Sequence, residues 1–186
     1  YNERDSVGGV IARAREALAS SGIAFEILVV DDDSPDGTAE AARSSFDRLR
    51  TNGSFEGRVV VRTGERGLSS AVLAGIHQAR GEILCVMDAD GSHPPESLPG
   101  LLRPLLSGEA DLSVASRYIP GGGIERWTPY RRLASRTACL LARPLTPIRD
   151  ATSGFFAVRR GAIADVTLST RGFKIGLEIY VKGKPA

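Results

Sequence analysis

The chain has 186 residues, 42% of them hydrophobic, and a formal charge of only +2. That is enough apolar material for one sizeable core, and the small net charge excludes the global field of a protein that binds nucleic acid by charge. No run of 18 apolar residues and no signal-peptide pattern occurs, so neither a membrane span nor a visible export signal is expected.

In chain order, Val7, Val10, Ile11, Ala14 and Leu18 recur at helical spacing, with Ser6 as the expected N-cap. Phe25 to Val30, FEILVV, is short and β-branched, reads as a strand, and runs into the turn cluster DDDSPDGT. TAEAARSSFDRLR reads as helix, Arg58 to Arg62 as strand, and GLSSAVLAGIHQAR as a helix opened by Gly67 and closed by Gly81. Ile83 to Met87 is the next strand, followed by a helix from the Pro94-Pro95 pair and a strand over Asp111 to Ser116. Cys85 and Cys139 lack any CxxC or ligand spacing and are expected to be reduced core cysteines of a cytosolic protein. A strand does not precede Tyr1 and no closing element follows VKGKPA, so one domain over residues 1–186, truncated at both ends, is the expectation. Strand and helix alternate with short connections, which predicts an α/β fold with a mainly parallel sheet flanked by helices on both faces.

Ligands of such sheets bind beyond the carboxyl ends of the strands, and both acidic clusters fall there. Asp31, Asp32 and Asp33 follow one strand, while Asp88 and Asp90 follow another. A solvated acidic turn is a sufficient reading of DDDSPDG taken alone. An EF-hand is excluded, because alignment on Gly37 puts Arg43 where the bidentate glutamate should stand. Two carboxylates ending a buried strand repel each other unless a cation or donors offset the charge, so Asp88 and Asp90 are candidate metal ligands. The same stretch, ILCVMDADGS, also fits a pattern in which the first aspartate attacks phosphate. His93 is expected to serve the turn into the helix that follows.

The second half carries a loop, SRYIPGGGIERW, with Arg117, three glycines, Arg126 and Trp127. A helix from Pro129 places Leu133, Ala134, Thr137, Leu140 and Leu141 on one side and Arg131, Arg132 and Arg136 in its first turns. Basic residues there oppose the helix dipole unless an anion sits among them. RDATSGFFAVRRG is a polar turn before a strand, with Asp150 either orienting a sugar or starting the turn. Lys174 leads a short helix-like segment.

YNE, VVDDDSPDGT, RGLSSAVLAGIHQARGEILCVMDADGSHPPE, SRYIPGGGIERW, RRLASR, DATSGFFAVRR and RGFKIGLEI occur in that order and together resemble the polyprenol-phosphate mannose synthases of the family 2 inverting glycosyltransferases. The family often has Leu where Gly91 stands and Gly where Ser69 stands. The resemblance implies a GT-A (nucleotide-diphospho-sugar transferase) fold and transfer of mannose from GDP-mannose to a polyprenyl (dolichyl) monophosphate. It implies that Tyr1 and Glu3 line the nucleotide pocket with Asp32 at the base or ribose. Asp88 and Asp90 then form the pair that holds Mg²⁺ or Mn²⁺ against the diphosphate. Arg117, Arg131 and Ser135 take the acceptor phosphate, with Arg117, Arg131 and Asp90 central to catalysis, and Lys174 closes over the phosphates. The lipid substrate implies a place at the cytoplasmic face of a membrane. A phosphomonoester, with a second pKa of about 6, is largely dianionic near neutrality and needs cations rather than a base. Two alternatives within this reading are a UDP-glucose or other donor and a sugar-nucleotide-binding domain without turnover.

Overall fold

The computed structural model describes residues 1–50, 56–118, 129–168 and 175–183, and for Pro129, Arg131 and Arg132 only their place in a helix. The described elements are α1 (Arg4–Ala19), β1 (Glu26–Asp31), α2 (Thr38–Leu49), β2 (Glu56–Val61), α3 (Leu68–Gln78), β3 (Ile83–Val86), α4 (Leu98–Leu106), β4 (Leu112–Val114), α5 (Pro129–Ala142), β5 (Phe156–Arg159) and α6 (Ile175–Lys182). Short 3₁₀ turns precede α4 and follow β5.

β1 and β2 pair in parallel, with Glu26 opposite Glu56 and Asp31 opposite Val61. β5 lies antiparallel between β3 and β4, with Val86 and Val114 both opposite Phe156. The parallel arrangement expected from strand and helix alternation is therefore joined by an antiparallel insertion, since a strand's direction leaves no mark in its hydrophobic pattern. Among the described residues β1-β2 and β3-β5-β4 are separate sheets, joined by packing.

That packing follows from alternation along β5. Phe155 and Ala157 turn toward Ala14 and Leu18 of α1 and Leu98, Leu101, Leu102 and Leu105 of α4. Phe156 and Val158 turn to the other face, where Leu73 of α3 and Ile175, Ile179 and Tyr180 of α6 cover them. Helices thus lie on both faces. α1 is the tie between the sheets, because its first half, through Val7 and Ile11, packs with Ala42 and Phe46 of α2 over Ile27, Val29 and Val59. Full burial of a valine, leucine, isoleucine or phenylalanine among them contributes about 1.5–3 kcal/mol. Phe46 reaches β2 only because residue 57 is glycine: a Cβ there would lie 2.1 Å from the ring.

Three local expectations change. α1 begins at Arg4, and Ser6 lies inside its first turn, donating to the Glu3 carbonyl (3.1 Å) and carboxylate (2.7 Å). α3 stops at Gln78 rather than at Gly81, because the Arg160 guanidinium donates to the carbonyls of Ile76, Ala79 and Gly81 and takes the place of a glycine cap. Cys139 is buried as expected, but Cys85 is exposed, on a strand whose edge away from β5 pairs with no described strand. Among the described residues no helix is long and apolar enough to cross a membrane.

Candidate active site

The acidic turn after β1 is built by its own side chains. The buried Asp31 carboxylate accepts from the amide (3.0 Å) and hydroxyl (2.5 Å) of Ser34, and Asp36 accepts from the amide (3.0 Å) and hydroxyl (2.6 Å) of Thr38. Two of the turn's aspartates are therefore turn formers. The chain start lies along this turn: Asn2 N–H donates to Ser34 Oγ, Glu3 N–H to Thr38 Oγ1 and Arg4 N–H to Asp36 Oδ2. Tyr1 is thereby placed on the rim, with the Arg66 guanidinium 4.7 Å from its ring centroid.

Asp32 stands across the same rim, held by the segment after β2. Arg62 Nε donates to its Oδ1 (2.7 Å) and Gly67 N–H to its Oδ2 (2.8 Å). Arg62 Nη2 also lies 2.6 Å from Oδ1, so that oxygen has two donors, while Oδ2 has one and retains lone-pair capacity for a further one. Tyr1, Glu3 and Asp32, expected at one nucleotide pocket, are thus brought to one edge of the molecule.

The second acidic pair begins two residues past β3. Ala89 packs against the α1–α2 core, so the loop bearing Asp88 and Asp90 adjoins the N-terminal half of α1. Asp90 Oδ1 accepts from Ser92 N–H (2.9 Å). Partial burial opposes its charge, but the Ser92 hydroxyl and amide and the nearby His93 outweigh this and hold its carboxyl below the ordinary value. Asp88 Oδ2 lies 3.3 Å from His93 Nε2, and the His93 ring packs on Phe155 at 5.2 Å between centroids. Neither carboxylate has an arginine or lysine partner among the described residues, in contrast to Asp32 and Asp150. No group of three or more His, Cys, Asp or Glu able to hold a metal occurs among the described residues. Two carboxylates that, among the described residues, lack an arginine or lysine partner and belong to no all-protein cage fit a hard divalent ion that completes its shell from phosphates and water.

A third segment, the polar turn before β5, closes on this pair. Gly154 faces Asp88, and Ser153 donates its hydroxyl to the Ala115 carbonyl at the end of β4 (2.8 Å). Just beyond, Arg117 is bound twice over by Asp150. Its N–H and Nε donate to Oδ2 (3.0 and 2.8 Å) and its Nη2 to Oδ1 (2.7 Å). Asp150 is wholly buried, so it starts the turn and anchors Arg117 but offers nothing to a sugar. Arg117, which the sequence resemblance assigned to the acceptor phosphate, thus has its Nε–Nη2 edge occupied by that carboxylate. Ser135 of α5 joins the same cluster through Tyr118 and Thr152.

Among the described residues the sequence-predicted side chains therefore fall into two groups, Tyr1, Glu3 and Asp32 in one and Arg117 and Ser135 in the other, with Asp88 beside the turn that carries the second. Arg131 lies in the first turn of α5, one turn before Ser135, with its side chain outside the described residues. Lys174, Arg126, Trp127 and the triple glycine also lie outside them. Sequence reasoning missed Arg62, Tyr118, Thr152 and Gly154. The one available signal was the density of hydroxyls and carboxylate in DATSG.

α5 turns its small side inward. Ser135, Cys139 and Ala142 are buried, while Tyr130 (81%), Leu133 (65%), Leu140 (70%) and Leu141 (72%) are exposed. A cleft of about 450 Å³ beside Ser135 is lined by Tyr118, Arg136, Cys139, Leu140, Arg143 and Arg149.

The chain matches the model of glycosyl transferase family 2 over residues 1–167. It is 43% identical over 188 residues to a dolichol-phosphate mannosyltransferase of Pyrococcus furiosus, covering 99% of this chain and 51% of that protein. It is 42% identical over 175 residues to a polyprenol monophosphomannose synthase of Mycolicibacterium smegmatis, covering 91% of this chain and 62% of that protein. The chain thus spans about half to two thirds of the length of these relatives. Among solved structures it resembles a mannosyltransferase of Pyrobaculum calidifontis, in complex with GDP-Man and Mn²⁺, with a TM-score of 0.65 at 21% identity over 95% of this chain and 47% of that one. The fold is GT-A.

Proposed function

The chain belongs to glycosyl transferase family 2, and on that premise we propose that it transfers mannose from GDP-mannose to a polyprenyl monophosphate, with inversion at the sugar carbon. The observation that carries this reading is the placement of Asp88 and Asp90. They follow β3 without an arginine or lysine partner among the described residues and adjoin, through Gly154 and Ser153, a cluster built from Arg117, Ser135 and Tyr118. Asp88 as a phosphorylated nucleophile is set aside, since family membership and a motif after the third described strand both oppose it.

Tyr1, Glu3 and Asp32 receive the nucleoside at the outer rim, where Arg62 and the Gly67 amide fix the direction of the Asp32 carboxylate. Asp88 and Asp90 would hold Mg²⁺ or Mn²⁺, which when bound supplies positive charge against the leaving diphosphate. The acceptor phosphate arrives already ionised near neutral pH, so the protein's task is to hold it in line rather than to remove a proton. With one edge of Arg117 held by Asp150, that task falls on the Ser135 hydroxyl, on Arg131 at the start of α5, and on Lys174. The positive field of three further arginines around the adjacent cleft favours the anion.

The lipid tail requires an apolar surface next to the phosphate site. The outward Tyr130, Leu133, Leu140 and Leu141, interspersed with arginines, fit a helix lying on an anionic membrane surface, and this supports a place at the cytoplasmic face. The test offers radiolabelled GDP-mannose and UDP-glucose side by side to the protein with polyprenyl phosphate in vesicles and Mn²⁺. Labelled lipid from GDP-mannose is the expected result. Labelled lipid from UDP-glucose alone, or tight GDP binding with no labelled lipid, overturns it.

A further inference from the structure

Four polar side chains meet around one hydroxyl, that of Thr152. Arg117 Nη2 donates to Thr152 Oγ1 at 2.8 Å, and Thr152 donates its own proton to Asp150 Oδ1 at 3.2 Å. Ser135 Oγ lies 3.0 Å from Thr152 Oγ1 and accepts the Tyr118 hydroxyl proton at 2.9 Å. Cys139 Sγ closes the cluster from below, 3.7 Å from Thr152 and 3.8 Å from Asp150.

The protons can be counted. The Thr152 oxygen has one proton, given to Asp150, and two lone pairs, one of which takes the Arg117 proton. Its remaining lone pair faces Ser135. The Ser135 oxygen takes the Tyr118 proton, so its own proton either points at Thr152 or turns toward an incoming anion. The oxygen stays fixed by Tyr118 in both states, and only the proton moves. Thr152 thus joins a buried carboxylate, a guanidinium and a serine that would otherwise be set independently.

We propose that Thr152 is a positioning residue of the acceptor-phosphate site: it registers the Ser135 hydroxyl against the Arg117–Asp150 pair, with Tyr118 as the second support of the Ser135 oxygen. This rests on the reading of Ser135 as an acceptor-phosphate ligand. Thr152 touches no substrate atom; it acts through Ser135 and Arg117. Valine at this position keeps the shape and removes both the acceptor for Arg117 and the partner for Ser135.

The test compares Thr152→Val, Thr152→Ser and Tyr118→Phe with the unmutated protein. Two readouts are taken: the KM for polyprenyl phosphate against the KM for GDP-mannose, and calorimetric affinity for farnesyl phosphate, which needs no turnover. Thr152→Val should raise the acceptor KM and weaken farnesyl phosphate binding about tenfold, as expected for one lost hydrogen bond to a charged ligand site, with donor KM unchanged. Thr152→Ser should restore both, and Tyr118→Phe should weaken acceptor binding about threefold. An unchanged acceptor affinity in Thr152→Val overturns the proposal, as does a parallel loss for donor and acceptor that Thr152→Ser does not rescue. If Thr152→Val fails to fold, Tyr118→Phe decides by the same criterion. Failure of the unmutated protein to transfer mannose while farnesyl phosphate binds in a Thr152-dependent way would refute the donor assignment and leave the positioning role standing.

Discussion

Asp88 and Gly154 meet face to face across two loops: a Cβ on residue 154 would lie 3.1 Å from Asp88 Oδ2. The missing side chain leaves Asp88 its position between the turn before β5 and His93. Gly154→Ala should push that carboxylate aside and weaken Mn²⁺-dependent GDP binding by about tenfold or more, the range seen when support of a metal ligand is disturbed. Calorimetry of GDP with and without Mn²⁺ checks this. Equal affinity in the two proteins would separate Asp88 from the metal.

Arg62 and Asp32 form a pair with only 10% and 12% of their side-chain surfaces exposed. Removing one charge leaves the other desolvated, so Asp32→Ala should lower stability by about 3 kcal/mol in urea denaturation. The double variant Asp32→Ala, Arg62→Met should recover part of that loss, since neither charge is then stranded. GDP affinity should fall in both variants, because the rim loses its acidic group in each.

The placement of Asp32 and Asp88 just past the ends of strands could be read from the sequence, for a physical reason. The strands before Asp32 and Asp88 are local patterns, and a carboxylate after a short apolar run has to emerge at the carboxyl end of a sheet. Contacts between distant segments left no such trace. Arg117 and Asp150 are 33 residues apart, and nothing in SRY or RDA says that one guanidinium edge is taken. α5 is the sharper case. Its leucines do share one side, as their spacing implies, but that side faces outward and Ser135, Cys139 and Ala142 are buried instead. Periodicity identifies a face; what covers the face depends on which neighbours the fold supplies.

Acid stability should carry the mark of Asp150. Burial pushes its carboxyl up, yet hydrogen bonds from the Arg117 side chain and amide, the guanidinium charge and Thr152 outweigh this and leave it lowered. A carboxyl lowered on folding contributes stability above its unfolded pKa of about 3.9, and loses that contribution as the pH falls toward the folded value. The unmutated protein should therefore lose stability on acidification below about pH 4, more steeply than Asp150→Asn, whose stability is already lower at neutrality because the charge of Asp150 no longer offsets that of Arg117. Glu26 and Asp90 are also lowered and titrate in both proteins, so the difference between the two urea-denaturation profiles isolates Asp150. Parallel profiles would show that the pair contributes no net pH dependence.

Leu133 and Leu141, at 65% and 72% exposure, contribute little packing to the fold and do not line the cleft beside Ser135, so charge can be placed there with small effect on stability. A membrane role demands the opposite sensitivity. Each leucine inserted at the lipid boundary adds apolar contact worth about 1.5–3 kcal/mol at full burial, and a glutamate there adds repulsion from anionic headgroups. Leu133→Glu with Leu141→Glu should therefore lower co-sedimentation with phosphatidylserine-containing vesicles by about tenfold or more, with the melting temperature nearly unchanged. The KM for vesicle-borne polyprenyl phosphate should rise in step, while the KM for a short, water-soluble prenyl phosphate stays the same. That split separates membrane docking from the phosphate site itself: a variant impaired equally on soluble and vesicle-borne acceptor would mean that the leucines shape the acceptor pocket rather than the approach to the bilayer.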